Sequence, residues 1–346
     1  MLRTKHLIKY FKFLTDTSII QLSKEYNGSK TISLGELICT FIDSLYCKIR
    51  YKISAKEYLY FSFKNKSSFA RKTFIGEIES TYKLAYIINK GKKGLFAVKS
   101  NTYNAYKPYF KRDLICIEMP SEKQALKDFA FTHDGFIIKP VTSCQGKGIR
   151  IIDWNHNEKE KDIEELLEDL SKDGDNKKYV IEELIDQDPL MASFHPYSVN
   201  TIRYAVFYNN GKVVKLFAII RMGVGDNRVD NTHAGGICAA IDLDSGIIIS
   251  EGVRQNGDGE KFIFHPDKGT QIIGTKIPKW EELNKMVEEL APHNSSVKMV
   301  GWDFALSKNG WCIVEGNPCP SFMGIQGSTG TGYRKLFMDI VSMSRK

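Results

Sequence analysis

The sequence predicts an α+β fold preceded by a helical N-terminal region. Two observations carry this expectation. Over residues 1–90, apolar positions such as Leu34, Leu37, Ile38, Phe41, Ile42 and Leu45 recur at three-to-four spacing, the mark of helices with one apolar face. Beyond residue 110, short β-patterned runs outnumber long helical ones. In the second half these runs follow one another through turns, so antiparallel pairing is expected rather than a doubly wound sheet. A chain of 346 residues has room for two or three domains.

The elements are justified in chain order. Residues 1–90 form the helical region. Its first 22 residues read as a basic amphipathic helix, because Lys9, Lys12 and Asp16 interrupt the apolar stretch and no small-residue cleavage site follows. The run Lys90-Gly91-Lys92-Lys93-Gly94 punctuates the chain. Residues 91–132 make a small α/β segment, with a strand at 114–119 and a helix opened by Ser121 and Glu122. Residues 133–192 hold strands at 136–139, 149–153 and 179–184 around an acidic helix at about 161–170. Residues 193–346 hold strands at 201–208 and 213–221, a hairpin of 235–242 with 246–250, and a helix at 280–290. Strands at 300–306 and 311–315 and a closing helix at 331–343 complete the chain.

The net charge of +8 is concentrated in the N-terminal third, in residues such as Lys5, Lys48, Arg50, Arg71, Lys92 and Arg112. That distribution suits an anionic glycan, an acidic membrane surface or an anionic substrate, and nucleic acid is not expected as a partner. No run approaches the roughly 18 apolar residues of a membrane span. Seven cysteines include no CxxC pair, and with seven scattered histidines no zinc spacing arises. Reduced thiols in a cytoplasmic protein are the expectation.

The segment from Gly301 to Pro318 is the most informative. Lys308-Asn309-Gly310 makes a hairpin loop in which Gly310 takes a left-handed conformation. The resulting register sets Asp303 opposite Glu315, with Asn317 on the same face. Trp302, Phe304, Leu306, Cys312 and Val314 occupy the other face as core. Facing carboxylates repel. A divalent cation removes the repulsion, and Mg²⁺ favours one or two carboxylates together with substrate phosphates. On this register, Asp303→Asn is expected to leave the metal-free fold as stable as before or slightly more so.

Phe136-Ile-Ile-Lys139-Pro-Val-Thr-Ser-Cys-Gln-Gly-Lys-Gly148 is a strand ending in lysine, then a small-residue loop. Glycines let backbone N–H groups approach phosphate oxygens, and lysine adds a point charge. A P-loop is excluded, because Val141 and Gly148 stand where Gly and Ser or Thr are required. Glu182 and Glu183 lie consecutively on a strand and point to opposite faces, so at most one faces any ligand there. Arg203 on one strand and Arg221 at the end of the next need anions if buried, and two arginines in one cleft suit a doubly anionic intermediate.

Asp on one strand followed by Glu-x-Asn on the next resembles the metal signature of the ATP-grasp superfamily. Asn-Thr-Ile-Arg203, Arg221-x-Gly followed by Asp230-Asn231 and Ala234-Gly-Gly, and Gly301-Trp-Asp with Glu315-Gly-Asn-Pro resemble its sugar-transfer-associated family, found in bacterial surface-polysaccharide gene sets. The resemblance spans about residues 95–330, and more weakly Ser54–Tyr58 and Arg71–Phe74. It implies two α+β lobes gripping ATP, one at 133–192 and one at 193–346. It also implies Mg²⁺ held by Asp303, Glu315 and Asn317, phosphates met by Lys139 and by a second lysine at Lys99, and a loop of Gln145, Gly146, Lys147 and Gly148 closing over them. Glu182, Glu183, Leu184 and Ile185 fall at the adenine-binding hinge. Arg203, Arg221 and Asn231 fall where the γ-phosphate or an acyl phosphate is met. The implied activity joins a carboxylate to an amine through an acyl phosphate, on a sugar or polysaccharide precursor. The same grip would also serve a kinase acting on a sugar hydroxyl.

Overall fold

The computed structural model describes residues 33–141, 148–154, 159–172, 177–226, 235–254, 259–294 and 296–345. The chain divides into two compact units, one of residues 1–94, 189–304 and 316–346 and the other of 95–188 and 305–315. The first unit begins with α1 (Leu34–Tyr51), α2 (Ala55–Tyr60), α3 (Ser68–Thr73) and α4 (Glu77–Lys83). Local capping sets these starts. Ser33 accepts the Glu36 N–H, and Ser54 and Glu57 exchange hydrogen bonds in a capping box. Tyr58, Phe61, Phe63 and Phe74 form the aromatic core of this region.

The apolar stripe expected of α1 faces that core only in part: Leu37 and Phe41 pack against it. Leu34 and Ile42 are 71% and 60% exposed, whereas Thr40, Ser44, Cys47 and Tyr51 turn inward. Cys47 and Tyr51 join the aromatic cluster, and Asp43 is drawn to it by Arg71 at 2.7 Å and the Tyr58 hydroxyl at 2.7 Å. The three-to-four spacing located the helix and part of its buried face, which also takes in the residues around the Asp43 anchor.

The second unit opens with α5 (Lys99–Phe110), which kinks at Tyr106 just before Pro108. Then follow β1 (Leu114–Met119), α6 (Lys123–Thr132), β2 (Gly135–Pro140), β3 (Arg150–Asp153), α7 (Lys159–Lys172) and β4 (Lys177–Glu183). The strands form one sheet in the order β1-β4-β2-β3, each neighbour antiparallel. Leu126 and Phe129 of α6 and Ile163 and Leu167 of α7 pack on Phe136, Ile138, Tyr179 and Ile181. Strand alternation therefore places Lys139 and Glu182 on the sheet face that these helices leave uncovered.

The first unit resumes with α8 (Pro189–Phe194), β5 (Thr201–Asn209), β6 (Lys212–Met222), β7 (Ile237–Ile241), β8 (Gly252–Arg254) and β9 (Lys261–Phe262). Then follow α9 (Trp280–Leu290), β10 (Met299–Ser307), β11 (Gly310–Asn317), α10 (Met323–Thr329) and α11 (Arg334–Arg345), residues 305–315 of the β10–β11 hairpin being part of the second unit. Seven strands run in the order β11-β10-β5-β6-β7-β8-β9. β7 pairs with β8, and the expected hairpin with 246–250 forms as a short turn-back, with an Ile241–Ile248 bridge flanked by Asp242 N–H donating to the Ile247 carbonyl at 2.9 Å and Ile249 N–H donating to the Ala240 carbonyl at 2.8 Å. Gly246 there is left-handed at φ 73°, and a Cβ would meet the Trp280 ring at 2.4 Å. Gly310 is left-handed at φ 95°, as its place after the Lys308-Asn309 turn requires.

β10 differs from the one-sided pattern expected, because it is buried at every position. Trp302 lies opposite Tyr204, whose ring stacks on Trp280 of α9. The other face carries Ala205, Phe207, Phe217 and Ile219 against Phe322 and, from α11, Phe337, Ile340 and Val341. A sheet covered on both sides puts any charged residue of its central strands out of water.

Candidate functional site

In the four-stranded unit, Lys139 follows Ile138 on β2, and β4 runs antiparallel beside it. Its ammonium lies 2.8 Å from Glu182 Oε1. Arg112, just ahead of β1, donates to Glu182 Oε2 through Nε at 3.1 Å and also through Nη2, and its Nη1 donates to the Ile313 carbonyl at 2.6 Å. Lys99, the first residue of α5, donates to the carbonyl of Pro140 at 3.2 Å. Two of the expected phosphate-binding lysines therefore converge on the end of β2. Arg112 was not anticipated. The sequence shows only a basic residue just ahead of a β-patterned run, and the structure sets the first residue of that strand, Leu114, in register with Glu182.

Burial opposes ionisation of Glu182, but the Lys139 ammonium and the Arg112 guanidinium outweigh it and hold the carboxyl at about 2, against an ordinary 4.5. A carboxyl lowered on folding contributes stability that is complete above the unfolded value and is lost as pH falls through the folded one. Acidification from pH 4.5 towards 2 should therefore remove on the order of 3 kcal/mol. Glu182→Gln should flatten that part of the pH–stability curve in urea titrations. A variant with the wild-type acid slope would show that Glu182 does not ionise as its partners require.

Glu183 turns to the other face, where its carboxylate accepts the Asp113 N–H at 3.0 Å and Asp113 approaches His133 at 3.4 Å. Of the two glutamates, Glu182 thus shares its face with Lys139. A cavity of about 970 Å³ lies on the Glu183 side, lined by residues including Tyr103, Lys107, Phe129 and His133. It includes neither Lys99, Lys139 nor Glu182, so cavity size does not point to the lysine cluster. Leu184 and Ile185 follow the end of β4, with Leu184 exposed. Gly148 is left-handed at φ 73° beside Pro140. Gln145, Gly146, Lys147 and Asn231 lie outside the described residues.

In the seven-stranded unit, Asp303 of β10 is directly opposite Arg203 of β5, and Arg221 of β6 is opposite Thr201. Arg203 donates to Asp303 through Nε at 2.8 Å and Nη2 at 2.7 Å, a two-pronged pair. Arg221 donates to the same carboxylate at 2.8 Å and to the Thr201 hydroxyl at 3.0 and 2.8 Å. The Asp303 side chain is 0% exposed and the two arginine side chains are 14% and 12% exposed. One buried carboxylate therefore organises two guanidiniums on one sheet face. Thr201 was not singled out from the sequence, although its i, i+2 relation to Arg203 places it on that face. Glu315 is exposed on β11, and Asn317 accepts the Cys319 N–H at 2.8 Å.

A family model described as sugar-transfer-associated ATP-grasp matches residues 94–341. The chain belongs to the sugar-transfer-associated ATP-grasp family. The match takes in the whole of both sheets. Among solved structures, this ATP-grasp chain is similar to the D-alanyl-alanine synthetase A of Vibrio cholerae, with 10% identity, 72% of this chain and 65% of that chain covered, and a TM-score of 0.45. It is also similar to the D-alanine–D-alanine ligase of Bacillus anthracis complexed with ATP, at 16% identity over 75% and 68% of the two chains, with a TM-score of 0.42. The ATP-grasp ligase PsnB, complexed with a precursor variant, Mg and ADP, matches at 14% identity over 77% of this chain, with a TM-score of 0.40. The alignment spans 61% of the PsnB chain. A search of the curated proteins finds no match. Membership rests on the family match rather than on these loose superpositions. Among the described residues, no helix of this ATP-grasp chain is long and apolar enough to cross a membrane.

Proposed function

We propose that the chain is an ATP-dependent carboxylate–amine ligase that works through an acyl phosphate on a sugar-linked or polysaccharide precursor. The observation that carries this reading is the buried Asp303 carboxylate holding Arg203 and Arg221 side by side. Such paired guanidiniums, fixed before reaction, stabilise negative charge that develops on a transferring phosphoryl group without reorganising at that moment. Lys99 and Lys139 would meet the nucleotide phosphates, with Gln145, Gly146, Lys147 and Gly148 over them. Glu182 to Ile185 would border the base, and Asn231 would join the arginines. The lobes of the grip would be residues 133–192 and 193–346.

Asp303, Glu315 and Asn317 offer oxygen donors alone, the set that Mg²⁺ prefers. They would hold the ion, which when bound neutralises and orients phosphate oxygens. In this reading Asp303 also keeps both arginines oriented. The protein contributes positioning and charge rather than a nucleophile of its own.

The test is a screen of Mg-ATP with uronic acids, amino acids and polyamines, followed by ADP release and identification of the product. An amide formed only when acid and amine are both present supports the reading. A phosphorylated hydroxyl as the product would make the protein a kinase instead.

Lys139→Ala supplies a further check. Losing a phosphate-facing cation from a site poor in water should weaken ATP binding by about tenfold or more. It also leaves Glu182 paired with Arg112 but without Lys139, a carboxylate less well neutralised. Calorimetry giving unchanged nucleotide affinity would remove Lys139 from the phosphate grip.

A further inference from the structure

Two fully buried histidines flank the glycine turn that leaves Arg221. His195 Nε2 lies 2.8 Å from the Gly225 carbonyl, and His265 Nε2 lies 2.8 Å from the Gly223 carbonyl. A carbonyl only accepts, so both Nε2 atoms carry hydrogen. On the other side of each ring a backbone N–H, which only donates, points at Nδ1. Ser198 N–H does so for His195 at 3.2 Å, and Asp267 N–H for His265 at 3.3 Å. Each Nδ1 is therefore an acceptor, and both rings are neutral Nε2–H imidazoles. Burial also pushes His265 below its ordinary value.

The turn is pinned from more than one direction. Gly225 N–H donates to the Asp267 carboxylate at 2.6 Å. A Cβ at Gly223 would lie 2.4 Å from Ser198 Oγ and 2.6 Å from His195 Nδ1, so glycine is the residue that lets the chain pass. The start of β5 is tied to the same histidine. Ser198 Oγ lies 2.8 Å from His195 Nδ1, and the Asn200 amide donates to the carbonyls of His195 and Met191, both at 2.8 Å. Thr201, the next residue, receives Arg221. His195 thus joins the chain just before Thr201 to the chain just after Arg221.

We propose that His195 and His265 are positioning residues whose neutral rings clamp the Gly223–Gly225 turn and so hold Arg221 against Thr201 and Asp303. The clamp stands on its own geometry, and its effect on turnover rests on the role proposed above for Arg221.

The test separates the two nitrogens. Glutamine places an amide donor near Nε2, whereas asparagine places its polar atoms near Nδ1. His195→Asn and His265→Asn should therefore release the turn, and the glutamine variants should restore it. Three readouts apply to the full chain. Histidine ¹⁵N spectra should show both rings as the Nε2–H tautomer at neutral pH. Amide exchange of the peptide 221–226 should rise about tenfold or more in the asparagine variants and stay within about threefold in the glutamine variants. Turnover of Mg-ATP should fall about a hundredfold in the asparagine variants, with KM for ATP changed by no more than about twofold, because misplacement costs rate rather than ground-state binding. A charged or Nδ1–H ring, wild-type exchange in the asparagine variants, or equal damage by both substitutions would overturn the clamp. If the wild-type protein turns over no ATP, the ligase reading fails, while the tautomer and exchange results still decide the clamp.

Discussion

Asp303→Asn is expected to destabilise the protein by about 3 kcal/mol or more and to abolish turnover. The cost follows from what the carboxylate touches. Three guanidinium N–H groups end on its two oxygens, and the side chain is wholly buried. Removing one member of such a cluster leaves the other charges desolvated and unpaired, which typically costs about 3–5 kcal/mol. Asparagine retains one acceptor oxygen but turns an NH₂ group towards a guanidinium, so hydrogen bonding is lost along with charge. Urea unfolding of the wild type and variant measures the loss. An unchanged midpoint and slope would mean that Asp303 is not the anchor of the two arginines. This expectation reverses the one drawn from the sequence, in which relief of a carboxylate pair left the metal-free fold as stable or more so. The hairpin pattern alone supplied a repulsive neighbour for Asp303. The partners that decide the sign, Arg203 and Arg221, come from β5 and β6, about 100 and 82 residues away in sequence.

The same contrast explains how far the fold could be read. Strands β1, β5, β6 and β10 and helix α9 were legible because each carries its own periodicity or breaker residues. The pairing of β7 with β8 was not. Residues 246–250 do return beside β7 as expected, through the Ile241–Ile248 bridge, but the three-residue strand 252–254 is too short to show a period in the sequence. Likewise α1 was legible as a helix, and its buried side only in part: Leu37 and Phe41 pack inward as their spacing implies, while Thr40, Ser44 and Cys47, around the Asp43–Arg71 pair, lie off the apolar stripe. In the candidate site, Arg203 and Arg221 stood out because arginine at a strand position demands an anion, Asp303 because the hairpin register sets it opposite Glu315, and Lys139 because it ends a strand before a glycine-rich loop. Thr201, Arg112, His195 and His265 did not stand out. A threonine in a strand and a histidine near a turn are ordinary residues, and their roles arise from hydrogen bonds made across the fold.

The second large effect concerns Arg203, and it separates a residue acting on the reaction from one that binds nucleotide. Arg203→Ala is expected to lower kcat roughly a hundredfold or more while leaving ATP affinity within a few-fold, since one preorganised donor to developing charge is worth on the order of 3 kcal/mol. Interactions made only in the transition state appear in kcat, whereas uniform binding appears in KM. Arg203→Lys should rescue poorly. The native guanidinium spans both Asp303 oxygens with two parallel N–H groups, and a lysine ammonium is a point charge that cannot reproduce that fork. Stability and chemistry must be separated, because either substitution also disturbs a buried pair. Arg221 still donates to Asp303 at 2.8 Å in the absence of Arg203, so the carboxylate keeps a cationic partner and the fold should survive with a smaller loss than in Asp303→Asn. The measurements are ATP turnover with the acceptors found by the screen, ATP affinity by calorimetry, and urea unfolding, each for Arg203→Ala and Arg203→Lys. A variant that keeps its rate but loses ATP affinity would move Arg203 to the nucleotide grip. A lysine variant with full turnover would show that charge alone suffices there, and that the two-pronged geometry serves Asp303 rather than the reacting phosphoryl group.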